Sequence, residues 1–326
     1  MSTDIVIEGL TVRFPIMSRL TATMKGLPSC EIDAVSDVNL RIPKGQTFAL
    51  VGESGSGKST LARAINGLVR PSKGSRILFE GRNLAALSAA HFKAFRRHMS
   101  MMFQDPIGSL SPRMTIGAQL AEPFIVHGLA ADRDLKAEAH RLLDLVGLPR
   151  DFADRYPYEL SGGQARRVGV ARSLALNPSF IIADEPTAGL DVSVQGEVLN
   201  LLNEFQERLE LTILIITHNL QIVRHIAHRT GIMYLGRIIE EGPTVEIFAQ
   251  PRHPYTQALL SAVHKPDPDF RQNRIELKGE IPSVARRPSG CEFHTRCPCA
   301  QDLCSSSRPQ ETIEGDRRYR CFFPPG

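Results

Sequence analysis

One stretch constrains this chain more than any other. Phe48 to Leu61 runs Phe-Ala-Leu-Val and then Gly52-Glu53-Ser54-Gly55-Ser56-Gly57-Lys58-Ser59-Thr60-Leu61. The four apolar residues predict a buried strand, and Leu61 to Leu68 predicts a helix. Gly52, Gly57, Lys58 and Ser59 fit G-x-x-x-x-G-K-[ST], the spacing of a loop that holds phosphate. Glycines let the backbone turn its N–H groups inward toward phosphate oxygens. The helix that follows aims its positive N-terminal end at the same anion. Lys58 supplies a mobile point charge for the β- and γ-phosphates, and Ser59 can ligate Mg²⁺. The alternative is a plain glycine turn between a core strand and a core helix. Strand, lysine, serine and helix standing together weigh against it.

The 326 residues suffice for two domains, and 42% hydrophobic with 23% charged residues fits a globular protein. The net charge of +4 is spread along the chain, which argues against a nucleic-acid face. Met1-Ser2-Thr3-Asp4 lacks the basic and apolar regions of a signal peptide. Apolar runs such as Ile213 to Ile216 are too short to span a bilayer, so any membrane contact is expected through a partner. Five of the six cysteines lie beyond position 290. With no export signal, such a cluster suggests a metal or cluster site before disulfides. Cys30 stands alone and reads as a buried or neutral thiol.

In chain order, residues 4–14 and 34–42 alternate apolar and polar, as half-buried strands do. Residues 15–31 read as a loop. Ile77-Leu78-Phe79 and Met99 to Phe103 are short strands, with a basic helix over 88–98. From Asp105 to about 165 the pattern is helical, read as an inserted subdomain. A helix follows Leu160-Ser161-Gly162-Gly163-Gln164. Phe180 to Ala183 is a buried strand closing on Asp184 and Glu185, then come a helix over 194–209, a strand over 212–217 and a final hairpin or edge strand over 230–240. Strand–helix alternation implies a largely parallel sheet covered by helices. Proline-rich sequence after about 245 marks a domain boundary, giving 1–245 and 246–326.

An Asp at a strand end beside a phosphate loop can hold Mg²⁺, and the next Glu can orient or deprotonate an attacking water. Without that loop the pair is an ordinary acidic strand end. Ser161 to Gln164 open a helix and form a second anion site.

Taken together these residues resemble the ATP-binding subunit of an ABC transporter. The Walker A loop Gly52 to Thr60, Gln104 of the Q-loop, the signature Leu160 to Gln164, the Walker B run Phe180 to Asp184, Glu185, the D-loop Ala188 to Asp191 and the switch His218 stand in the family's order. The resemblance implies an α/β P-loop NTPase with an inserted helical subdomain and an irregular cysteine-containing extension. It implies that Gly52 to Thr60 bind ATP, and that Ser59, Gln104 and Asp184 bind Mg²⁺. It casts Glu185 as catalytic base and His218 as γ-phosphate sensor. Ser161, Gly162, Gly163, Gln164 and Asp191 then reach the nucleotide of the opposite subunit. Phe14 is the family-like candidate for stacking on adenine; its alternative is a core strand residue. Ala165, where a polar residue often stands, and Gly189 depart from the pattern without removing a phosphate contact.

The run His253-Pro254-Tyr255-Thr256-Gln257-Ala258-Leu259-Leu260 and the stretch Ser109 to Thr115 resemble the oligopeptide and dipeptide importer branch. In that branch the tail cysteines, here Cys291, Cys297, Cys304 and Cys321, hold a [4Fe–4S] cluster. Zinc and no metal remain the alternatives, and Cys299 is an extra thiol. The implied partners are a second ATP-binding subunit, identical or homologous, two transmembrane permease subunits and an extracytoplasmic solute-binding protein, with no nucleic acid. The implied place is the cytoplasmic face of the inner membrane, as a peripheral subunit. The implied function is ATP-driven import of peptides. Nickel, glutathione or sugars are the alternative cargoes. A soluble ABC-type ATPase acting on nucleic acid or ribosomes is the alternative class.

Overall fold

The computed structural model describes residues 4–15, 23–24, 31–105, 108–263 and 274–325. Strands β1 (Ile5–Pro15), β2 (Glu31–Ile42) and β3 (Thr47–Val51) lead into helix α1 (Lys58–Ile65). Then come β4 (Arg76–Phe79), β5 (Arg82–Asn83), α2 (Ala89–Phe95) and β6 (Met99–Met102). The helical stretch holds α3 (Ile116–Val126) and α4 (Leu135–Leu145), and α5 (Gly162–Leu174) follows two short 3-10 turns. Next are β7 (Phe180–Asp184), α6 (Val192–Leu209), β8 (Thr212–Ile216) and α7 (Leu220–Ile226). The hairpin β9 (Arg229–Tyr234) and β10 (Arg237–Pro243) precedes α8 (Thr244–Ala249) and α9 (Pro254–Ser261). The tail closes with α10 (Asp302–Ser306), β11 (Thr312–Glu314) and β12 (Arg317–Tyr319).

The chain divides into two compact units. One comprises residues 42–47 and 86–216. Its strands β6, β7 and β8 pair in parallel, Met99 with Phe180 and Phe180 with Thr212. All five residues of β7 and of β8 are buried. That burial explains their unbroken apolar sequences, since both faces of a parallel sheet are covered. Helices α3, α4 and α5 pack their apolar stripes on one another, with Leu120, Phe124, Leu142, Leu143 and Val168 fully buried or nearly so. Asp134 caps α4 by accepting from the N–H groups of Lys136 and Ala137.

The other unit comprises residues 4–41, 48–85 and 217–325 of the described chain. Here β3 pairs in parallel with β9, Leu50 opposite Gly231. β9 continues antiparallel to β10 and β10 to β12, so the tail adds strands to the sheet edge. A second sheet has the order β2-β1-β4-β5, with β4 antiparallel to both β1 and β5. The largely parallel sheet expected from strand–helix alternation is therefore joined by antiparallel sheet at both chain ends. The reason is connectivity: β9 and β10, or β4 and β5, follow each other without the crossover helix that a parallel pair needs.

Candidate functional site

The phosphate loop leaves the buried end of β3 and enters α1, as its sequence requires. Gly57 caps α1 at φ 103°, a left-handed conformation open to glycine. A Cβ there would meet the Ala34 carbonyl oxygen at 2.5 Å, and one at Gly52 would meet that of Met233 at 2.2 Å. Both positions exclude any side chain. The Lys58 Nζ donates to the carbonyls of Gly52 and Glu53 at 2.7 and 2.9 Å. Ser56 is buried and donates its N–H to the Glu53 carbonyl at 3.2 Å. Ser54 and Gly55 are exposed, and Ser59 and Thr60 are half-buried on the first turn of α1. In the same unit His218 is exposed just after Thr217, whose N–H donates to the Leu50 carbonyl at 3.3 Å. Phe14 is 37% exposed at the end of β1.

In the 86–216 unit, Asp184 is buried at the end of β7. Glu185 follows at φ 50°, unusual for a residue with a side chain, and its N–H donates to the Ile216 carbonyl at 2.8 Å. Such backbone conformations concentrate at functional sites because surrounding structure must hold them. Gln104 is exposed beyond β6. Ser161 caps α5 through a reciprocal box with Gln164: its Oγ accepts the Gln164 N–H at 3.3 Å and its N–H donates to Gln164 Oε1 at 2.9 Å. Gly163 has no room for a side chain, because a Cβ would meet Val194 Cγ1 at 2.8 Å. Ser161 and Gly162 are exposed, so this helix start is open to a ligand. Asp191 caps α6 by accepting the Val194 N–H at 3.0 Å.

Sequence reasoning missed Arg166. It is buried on α5 and gathers three main-chain carbonyls of this unit: Ala188 at 2.6 Å, Gln104 at 3.1 Å and Glu185 at 3.5 Å. One side chain thus ties the segment after β6, the acidic residue after β7 and the turn before α6 together. Burial pushes its pKa down, with Asp105 opposing. Nothing but its place two residues past the signature could have drawn attention to it. The same unit holds a cavity of about 260 Å³ lined by Arg96, Met101, Phe103, Pro123, His127 and Arg172 among others. Burial, then Lys93, Arg97 and Arg96, push the His127 pKa below its ordinary value.

In the tail, Cys291, Cys297, Cys304 and Cys321 line one small cavity with Cys299, Phe293 and Phe322. Burial raises the thiol pKa of Cys291, that of Cys297 to about 11 and that of Cys321 to about 12. The donor chemistry suits a soft metal or cluster. Among the described residues, however, no three His, Cys, Asp or Glu side chains are grouped so as to hold a metal ion. Cys30 lies outside the described residues, as does most of the predicted 15–31 loop.

A phosphate loop on a strand–helix turn, with a second glycine-containing helix start after a helical insertion, defines an ABC-type P-loop NTPase fold. Residues 35–188 match the ABC transporter family, and residues 239–304 match the oligopeptide/dipeptide transporter C-terminal region. The oligopeptide transport ATP-binding protein AppF of Bacillus subtilis is 46% identical over 300 residues, 91% of this chain and 90% of that one. A Brucella ovis protein whose name is that of a peptide import ATP-binding protein is 48% identical over 282 residues, 86% and 89% of the two chains. An ATP-binding cassette solved as a dimer in a post-hydrolysis state with ADP and Pi superposes with a TM-score of 0.64 at 27% identity, covering 74% of this chain and 98% of that one. The chain belongs to the ATP-binding subunits of ABC transporters, in the branch that carries the oligopeptide/dipeptide-transporter C-terminal region. It is accordingly an ATPase of that family, for which ATP and Mg²⁺ are the expected substrate and ion. No helix among the described residues is long and apolar enough to cross a membrane.

Proposed function

We propose that this chain is the ATP-hydrolysing subunit of an ABC importer that carries peptides into the cell. It would work at the cytoplasmic face of the membrane beneath two permease subunits, supplied by an extracytoplasmic binding protein. The observation that carries this reading is the pair of anion-ready helix starts, Lys58 on α1 and Ser161 on α5, in a chain with 46% identity to an oligopeptide transport ATP-binding protein. The cassette is residues 1–245 and the extension 246–326.

In this reading the loop Gly52, Glu53, Ser54, Gly55, Ser56, Gly57, Lys58, Ser59 and Thr60 wraps the phosphates, and Phe14 stacks on adenine. Ser59, Gln104 and Asp184 hold Mg²⁺. Glu185 orients or deprotonates the attacking water, and His218 senses the γ-phosphate. Ser161, Gly162, Gly163, Gln164 and Asp191 complete the site of a second cassette. The exposure of Ser161 and Gly162 supports this, because a helix start facing solvent can meet a partner's nucleotide. The cavity lined by Arg96, Met101 and Arg172 would seat a cytoplasmic segment of a permease. Cys291, Cys297, Cys304 and Cys321 would hold a [4Fe–4S] cluster, with zinc the alternative; that these four thiols, with Cys299, line one cavity supports this. Such a group would cross-link the tail by metal–thiolate bonds.

Glu185→Gln keeps the size of the side chain and removes its basicity. The expected result is unchanged ATP binding with steady-state hydrolysis lowered about 100-fold or more, the size of a lost general base. Hydrolysis near the parent rate would remove Glu185 from this role.

A further inference from the structure

Glu53 is held at every polar group it has. Its carboxylate takes both arms of Arg296, Nη1 at 2.8 Å and Nη2 at 3.0 Å. Its N–H donates to the Tyr255 hydroxyl at 3.0 Å. Its carbonyl accepts from Lys58 Nζ at 2.9 Å and from the Ser56 N–H at 3.2 Å. Two of these four grips come from beyond position 250, from α9 and from the cysteine loop, where Arg296 directly precedes Cys297.

The gripping residues are themselves fixed. Tyr255 is fully buried and Arg296 is 9% exposed. The rings of Tyr234, Tyr255 and Phe293 pack on one another with centroids 4.8, 5.3 and 5.4 Å apart. Arg296 Nη1 also reaches the Tyr234 hydroxyl at 3.5 Å. A two-armed arginine–carboxylate pair fixes direction as well as distance. A carboxylate next to a phosphate site also repels the incoming anion unless a cation cancels it.

We infer that Arg296 and Tyr255 are positioning residues for the phosphate loop, acting through Glu53, so that the folded tail sets how tightly the loop takes nucleotide. This rests on reading the Lys58 loop as the nucleotide site. Arg296 neutralises the Glu53 carboxylate and holds it away from the loop's interior. Tyr255 aligns the peptide that feeds the Lys58 contact. The tail thereby acts on affinity, and the hydrolytic step is left to residues it does not touch.

The test is a double-mutant cycle on the full chain, reading the Kd of a non-hydrolysable Mg²⁺–adenosine triphosphate analogue by calorimetry and kcat at saturating ATP. Arg296→Ala should raise Kd about tenfold, the scale of one lost charge-assisted contact, with kcat changed less than about twofold. In a Glu53→Gln background the same substitution should cost little, because the carboxylate it serves is gone. Arg296→Lys, which keeps charge but loses the fork, should fall between, and it serves if the alanine variant does not fold. Tyr255→Phe should raise Kd about threefold through the lost acceptor. An equal loss of affinity with and without the Glu53 carboxylate, or an unchanged Kd in Arg296→Ala, would overturn the inference. Lys58→Ala separates the two readings. If it binds the analogue as the parent does, the loop is not the nucleotide site and both readings fall. If it abolishes binding while Arg296→Ala leaves Kd unchanged, only the inference falls.

Discussion

Each unit of this protein braces its functional loops with a buried arginine, and the two arginines do so by opposite means. Arg166 is surrounded by main-chain carbonyls, and burial lowers its pKa. Arg296 faces a carboxylate, and its hydrogen bonds to Glu53 raise its pKa. Carbonyls fixed in a fold cannot turn to water when their donor is lost. The Glu53 side chain is 25% exposed and can. The first brace therefore joins three backbone segments through carbonyls that have no freedom to turn away. The second tunes a loop whose own glycines and Lys58 already give it its shape.

A third buried arginine gives the largest expected effect and sharpens the comparison. Arg317 donates to Glu240 at 2.9 Å, and Glu240 has no exposed surface. Glu240 also accepts the N–H groups of Arg252 and His253 at 2.7 and 3.0 Å, which ties the start of α9 to β10. Arg317→Ala leaves a buried carboxylate without its cation and should lower unfolding stability by about 3 kcal/mol. Chemical denaturation measures this. Because Arg317 does not touch Glu53, nucleotide affinity of the folded fraction should stay within about twofold of the parent, an effect under one hydrogen bond. A tenfold loss of affinity would mean that any loosening of the tail, and not the Arg296 contact, weakens the loop.

Arg166→Ala comes next. It should cut turnover about 100-fold with little change in nucleotide Kd, since misplacing reacting groups by about 1 Å has that cost. Single-turnover hydrolysis beside equilibrium binding reads the two separately. A change confined to Kd would make Arg166 and Arg296 equivalent and break the contrast. The tenfold shift expected of Arg296→Ala is the smallest of the three.

The sequence made local chemistry legible and left distant support dark. Gly52, Gly57, Lys58 and Ser59 declare their loop by spacing, because within the same turn Gly57 takes a positive φ and a Cβ at Gly52 would meet Ser56 Oγ at 2.8 Å. Ser161 and Gln164 declare a helix start for the same reason: their box closes over three residues. Arg296 and Glu53 stand 243 positions apart, and no periodicity links them. Arg166 looked like one of several basic residues on a helix until its carbonyl partners were seen. The antiparallel tail strands were equally hidden, since β11 and β12 have three residues each, too short for alternation to register.

The central claim is that one chain holds half of each ATP site. Its direct test is the mass of the Glu185→Gln variant in solution, by light scattering, with and without ATP. The account predicts a monomer that becomes a dimer on adding ATP and stays monomeric when Ser161→Arg blocks the open start of α5. A Glu185→Gln chain that binds ATP tightly and remains a monomer, while the parent hydrolyses ATP at full rate at that concentration, would contradict it.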